Sequence, residues 1–165
     1  MTPFKIDRVI VSIGLGGKTP KEISQVKEHF ESIFSEFLGG SASTVTKCRK
    51  ANAKFKIRKG VPMGVMATLR KSKIRKILTH LVHTFPHLKS EMRYDLNNLS
   101  VGFRDHRRLK LERYNHKAPE YGLNLNLKFE ALGSRVKYRR VNPLKLKHRI
   151  IKDDCLNLID QYVEH

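Results

Sequence analysis

Four stretches of the chain alternate apolar and polar residues with a period of two, and each predicts a half-buried β-strand. In residues 4–13, Val9, Val11 and Ile13 alternate with Arg8, Ile10 and Ser12. In residues 63–69, Val65, Ala67 and Leu69 stand against Met66, Thr68 and the following Arg70. Leu99, Val101 and Phe103 alternate with Ser100, Gly102 and Arg104, and Leu123, Leu125, Leu127 and Phe129 with Asn124, Asn126, Lys128 and Glu130. A fifth strand is expected at residues 42–48, which are rich in Thr and Val.

Two longer segments carry helical spacing instead. In TPKEISQVKEHFESIFSEFLGG, residues 19–40, the apolar set is Ile23, Val26, Phe30, Ile33, Phe34 and Phe37. Thr19 is the expected cap, Pro20 the first helical residue, Glu22 the partner in a capping box, and Gly39-Gly40 the stop. Ser72 opens a second helix on which Ile74, Ile77, Leu78, Leu81, Val82 and Phe85 share a face, and Pro86 ends it. Residues 153–163 predict a last helix, with Asp153-Asp154 in its capping turn.

The order is β-α-β-β-α-β-β-α. This is the α+β, split-βαβ pattern of ferredoxin-like and RNA-recognition-motif folds, an antiparallel sheet with one added strand. Helices and strands each have one apolar face, so the helices cover one side of the sheet and leave the other open. Arg8, Ser12, Thr68, Arg70, Ser100, Arg104, Asn124, Asn126 and Lys128 line that open side. Such a face suits phosphates, 2′-hydroxyls and base edges. It lacks aromatic pairs for stacking on single strands, which points to structured RNA.

Charge sharpens this reading. Lys and Arg number 34 against 15 Asp and Glu, a net charge of +19. An excess of that size calls for a polyanion, nucleic acid before an anionic membrane. A membrane-surface helix would set Lys and Arg opposite Leu and Trp. Here Trp is absent and the first helix is acidic on its wet face, so no membrane partner is expected. No apolar run reaches the roughly 18 residues of a membrane span, and MTPFKID leads straight into strand-like sequence without a signal peptide. The two cysteines, Cys48 and Cys155, make neither a disulfide framework nor a zinc pattern. At 165 residues the chain is expected to be a single domain, with a basic, irregular insertion at 133–152. Residues 47–59 hold seven basic side chains and no acidic one, and a long basic loop in a small domain is usually functional.

The glycine turn after the first strand, SIGLGGKT, invites comparison with a phosphate-binding loop. Gly17-Lys18-Thr19 matches the end of that motif, but Ser12 occupies the first glycine's place. Thr19-Pro20 puts Lys18 outside the helix, and Pro20 removes an amide. The pattern G-x-G-x-x-G also fails, so the turn is read as a bend that allows close backbone approach. His80, His83 and His87 have near-helical spacing, yet Pro86 intervenes and no carboxylate joins them, so no metal site is expected. No paired carboxylates and no nucleophile with its base are recognisable, so neither enzymatic activity nor a cofactor is expected.

The stretch TKCRKANAKFKIRKGVPMGVMATLR, residues 46–70, resembles the signature of the large ribosomal subunit protein five family, which binds 5S rRNA. Thr46, Lys47, Arg49, Lys50, Ala53, Phe55, Lys56, Ile57, Arg58, Gly60, Pro62, Gly64, Thr68, Leu69 and Arg70 match its pattern. SIGLGG resembles the family's turn after its first strand. SVGFRD and GLNLNLKF resemble two later family segments, so the likeness runs over residues 6–130.

The resemblance implies a structural protein of the central protuberance. Its implied partners are 5S rRNA, large-subunit rRNA, neighbouring central-protuberance proteins, P-site tRNA and small-subunit protein thirteen. Family positions for rRNA contact fall on Arg8, Ser12, Ser41, Thr68 and Arg70. Thr46, Lys47, Arg49, Lys50, Arg104, Asn124 and Asn126 complete the expected rRNA surface. The loop at 51–60 corresponds to the family's tRNA-contacting loop, with Asn52, Lys54, Phe55, Lys56, Ile57, Arg58 and Lys59 as its contact residues. Residues 104–121 correspond to the bridge to small-subunit protein thirteen. The chain begins almost at its first strand, where family members carry a helix and turn. Ser12, Ser41 and Asn52 replace usual Asn, Gln, and Val or Ile, and residues 133–152 have no family counterpart. Basicity and drift of this kind resemble mitochondrial versions, with a bacterial or other organellar ribosome as the alternative home. A non-ribosomal RNA-binding or chaperone factor built on the same sheet is the alternative function.

Overall fold

The structure, a computed structural model, describes residues 4–38, 43–55, 57–95, 97–111, 119–131 and 151–164. Its elements run β1 (Phe4–Gly14), α1 (Pro20–Ile33), α2 (Ser35–Leu38), β2 (Thr44–Lys47), β3 (Pro62–Leu69), α3 (Ser72–Thr84), α4 (Leu88–Glu91), β4 (Arg93–Asp95), β5 (Asn98–Phe103), a 3₁₀ turn (His106–Leu109), β6 (Leu123–Ala131) and α5 (Lys152–Glu164). Six strands hydrogen-bond in the order β2-β3-β1-β6-β5-β4 as an antiparallel sheet. The first four of these form the split-βαβ arrangement, with β6 beside β1 in the place of its fourth strand. The β4–β5 hairpin is the addition at the edge.

Contacts cluster the chain into two units. One holds Ile10–Leu69 and Gly102–Leu125. In it Val11, Ile13, Val65, Ala67, Leu69, Phe103, Leu123 and Leu125 are buried, while Ser12, Met66, Thr68, Arg104 and Asn124 between them are partly or fully exposed. Helix α1 lies on β3 and buries Ile23, Val26 and Phe30. The capping box at its start forms as the sequence predicts. Thr19 Oγ1 accepts from the Glu22 amide, and the Glu22 carboxylate accepts from the Thr19 amide at 2.6 Å. The Thr19 amide, and after it the Thr19 hydroxyl, which donates to the same carboxylate oxygen at 2.8 Å, hold the Glu22 carboxyl below its ordinary range. Strands β2 and β3 pair antiparallel with Thr46 opposite Gly64. Gly64 is required there: a Cβ at that position would stand 2.1 Å from the Ile13 carbonyl oxygen. A second tie joins α1 to β2, where the Ser43 hydroxyl and amide both donate to Glu31 at 2.8 and 3.0 Å.

The other unit holds Met1–Val9, Arg70–Val101 and Asn126–His165. Val9, Leu99, Val101, Leu127 and Phe129 are buried, whereas Arg8, Ser100, Asn126 and Lys128 stay accessible. Helix α3 buries Ile74, Ile77, Leu78 and Leu81 and packs against α5, with Lys89 bonded to Asp160. Cys155 on α5 is fully buried, which pushes its thiol up to about 11 and leaves it the small apolar residue expected.

Two readings of the elements change. The first helix is not continuous to Gly39-Gly40, a stop that falls outside the described residues. It breaks at Phe34, whose backbone leaves helical geometry, and α2 starts afresh. The cause is aromatic packing: Phe34 meets Phe30 at 4.6 Å, the two rings tilted, and Phe37 at 6.1 Å. After the break Leu38 is buried, while Ile33 before it is only half-buried. Ser72 opens α3 as expected, with Lys71 before it at φ +56°. Strand β4 was not foreseen, because RYD is too short to show a period. Asp95 opposite Asn98 closes it onto β5.

Candidate nucleic-acid interface

Two groups of predicted residues are assembled, one in each unit. In the first unit described above, the basic segment expected as an irregular loop is a hairpin that continues β2 and β3. Cys48 donates to the Val61 carbonyl at 2.8 Å and the Gly60 amide donates back to Cys48 at 2.9 Å. Further out, Asn52 and Ile57 exchange both backbone bonds, at 2.8 and 3.0 Å. The ladder leaves no apolar alternation in the sequence because neither face of the hairpin is buried. Lys47, Arg49, Lys50, Asn52, Lys54, Arg58 and Lys59 are all exposed on it, Ile57 is half-buried, and Phe55 at the tip is 67% exposed. Lys56 lies outside the described residues, as do Ser41 and residues 133–150.

The glycine turn sits beside this hairpin. The Leu15 amide donates to the Met63 carbonyl at 2.8 Å, and Lys18 closes the turn on the Leu15 carbonyl at 3.2 Å. Gly17 adopts φ +85°, a conformation that only glycine takes without strain. Lys18 stands outside α1, as expected. On the sheet, Ser12 and Thr68 are half-buried, Arg104 and Asn124 exposed, and Thr46 half-buried against Gly64.

In the second unit, Arg8 and Arg70 pair with Asp7, a residue that sequence reasoning passed over. Arg8 Nε donates to Asp7 Oδ2 at 2.6 Å, and Arg70 Nη1 reaches Oδ1 at 3.5 Å. Burial alone would raise the Asp7 carboxyl; the Arg8 bond and the charges of Arg8, Arg70 and Lys128 outweigh it and hold the group below its ordinary value. The carboxylate thus holds two guanidinium groups on the accessible side of the strands. The signal available beforehand was the Asp-Arg pair at a change of strand phase: Ile6 and Val9, three residues apart, are both buried. Asn126 is half-buried on the same unit.

Sequence reasoning also missed an imidazole–phenol cluster in the segment matched to the bridge. His106, 3% exposed, stacks on Tyr121 at 4.2 Å, and His29 Nδ1 lies 3.1 Å from the Tyr121 hydroxyl. The cluster ties the 3₁₀ turn to α1. Among the described residues no group of three or more metal-ligating side chains is gathered, His80, His83 and His87 included. Nor is any described helix long and apolar enough to cross a membrane.

Comparison with known proteins bears on this surface. No family model matches the chain. The large ribosomal subunit protein uL5 of Methanobrevibacter smithii is 28% identical over 163 residues, covering 97% of this chain and 92% of that protein. The uL5 of Methanococcus aeolicus is 26% identical over 166 residues, covering 97% and 88%. Over nearly its whole length the chain is thus similar to uL5 proteins, at an identity that marks it as divergent from them. Similarity is greater over shorter spans. The uL5 of a Synechocystis strain is 41% identical over 81 residues, 48% of this chain and 42% of that protein. The likeness is to archaeal and bacterial uL5 proteins alike, and it runs over nearly the whole chain in the archaeal cases.

Proposed function

We propose that the chain is a structural constituent of the large ribosomal subunit that binds rRNA, acting as a single domain. Similarity to uL5 proteins supports the ribosomal setting. The observation that carries the RNA reading is the pair Arg8 and Arg70 on the accessible side of the sheet, held by the one carboxylate of Asp7. Guanidinium groups fixed in this way meet phosphates with less ordering cost than free side chains do. Ser12, Thr68, Arg104, Asn124 and Asn126 add hydroxyl, amide and guanidinium donors for sugar and backbone contacts with large-subunit rRNA and 5S rRNA. Thr46, Lys47, Arg49 and Lys50 extend that surface to the base of the hairpin, and Ser41 joins the contact residues by its matched position.

The hairpin tip, residues 52–59, reaches the P-site tRNA in this reading. A ladder-closed, basic projection with an exposed aromatic tip suits contact with a second RNA without disturbing the first. Residues 104–121 face small-subunit protein thirteen, among other central-protuberance proteins. Basicity and low identity to archaeal and bacterial relatives support a mitochondrial ribosome as its home.

The deciding experiment is native sedimentation followed by sequencing of crosslinked RNA. Co-migration with the large subunit and crosslinks to large-subunit rRNA are expected; free sedimentation with scattered transcripts would refute the ribosomal reading. Charge reversal at Lys56 and Arg58 should then weaken P-site tRNA retention at least several-fold while subunit assembly stays intact. Normal retention would remove the tRNA contact and leave rRNA binding standing.

A further inference from the structure

The glycine turn and the hairpin enclose a groove of about 530 Å³. Phe55, Ile57, Val61, Pro62 and Met63 give it an apolar lining, and Lys18 and Arg58 bring the two cations to it. Only three large apolar side chains among the described residues are left exposed, and two of them, Phe55 and Val61, line this groove. No carboxylate lines it. Gly16 and Gly17 line it too, so backbone replaces side chains there and leaves a slot beside the exposed Phe55 ring.

We infer that this groove holds one unpaired nucleobase extruded from RNA, stacked on Phe55, with its flanking phosphates on Lys18 and Arg58. The inference rests on the RNA-binding reading above and adds a particular ligand to it. An apolar slab flanked by cations is what an unstacked base with its own phosphates requires. A neighbouring protein's apolar side chain would suit the apolar lining and give the two cations nothing to meet. A free nucleotide is disfavoured by the local geometry. Lys18 stands outside α1, and the amide and hydroxyl of Thr19 are already engaged by the Glu22 carboxylate. Polar contact at Lys18 is loose enough to be displaced, since its Nζ is 3.5 Å from the Glu120 carbonyl.

The test uses the full chain and two RNA duplexes of one sequence, one fully paired and one carrying a single bulged 2-aminopurine. The bulged duplex should bind roughly tenfold tighter, with quenched 2-aminopurine fluorescence as the base stacks. Phe55→Ala should abolish the preference and the quenching without changing affinity for the paired duplex, and Phe55→Trp should restore both. Phe55 is exposed, so an unchanged melting curve is expected for both variants. Equal affinity for the two duplexes, with binding retained, overturns the base site and leaves RNA binding intact; a protein side chain is then the groove's occupant. Loss of binding to both duplexes in the unmodified chain overturns the RNA reading as well. Saturable binding of AMP as tight as the bulged duplex overturns the inference in favour of a free-nucleotide site.

Discussion

Gly64 and Asp7 do the most at the scale of single residues. Gly64 lets β3 approach β1 so closely that any Cβ meets the Ile13 carbonyl. Gly64→Ala should therefore cost roughly 2–4 kcal/mol, because the obstacle is backbone and cannot rotate away; a urea denaturation midpoint close to that of the parent chain would disprove the contact. Asp7 works electrostatically. Its carboxyl is held below the ordinary value in the folded chain, so its contribution to stability is present above the unfolded value of about 3.9 and fades as pH falls through the folded one. Asp7→Asn should be less stable than the parent at neutral pH, the gap closing under acid. The same change removes a negative charge from a cationic surface and should raise affinity for RNA at low salt. Equal stability of the two chains at pH 7 would contradict the first expectation, and unchanged affinity the second. Neither residue announced itself in the sequence. The family signature contains Gly64, but the reason for it is a distance between strands that are far apart in the chain. Asp7 is one acid beside one Arg until folding brings Arg70 to it.

Whole elements were far more legible, where a single face is buried. Period-two alternation located β1, β3, β5 and β6, and the Thr19, Pro20 and Glu22 start of α1 formed as its residues dictate. Legibility failed where local pattern and packing disagreed. Phe34 belongs to the helical stripe by spacing, yet its ring closes an aromatic cluster with Phe30 and Phe37, and α1 ends there. Phe34→Ala should cost roughly 3–5 kcal/mol through the cavity it leaves, read as a fall in thermal midpoint. A loss under 1 kcal/mol would mean that the cluster collapses without penalty. The hairpin was unreadable as a ladder for the opposite reason: its backbone bonds carry its shape, and its side chains, facing water on both sides, record no period.

For the molecule as a whole, the charge of +19 is organised more than it is abundant. Exposed cations crowd the hairpin in one unit, and Asp7 holds Arg8 and Arg70 in the other. RNA binding should accordingly weaken steeply with salt, and each of Lys54→Ala, Arg58→Ala and Lys59→Ala should lower the log–log slope by about 1 if its side chain meets a phosphate. A slope untouched by all three would separate the hairpin from the bound RNA. Composition had already pointed to a polyanion. What it could not supply was the division between an ordered cluster on the sheet and a projecting arm.

The hairpin has one more property. Cys48 pairs with Gly60 and Val61 at its base, and Asn52 pairs with Ile57 near its tip, so two separate clasps fix how far the tip stands out. Residues lost equally from both arms between the clasps draw the tip in and leave both closed. Residues lost from one arm alone put the partners out of step and open a clasp. Natural variants should therefore change the two arms together, as a strap is shortened between its buckles.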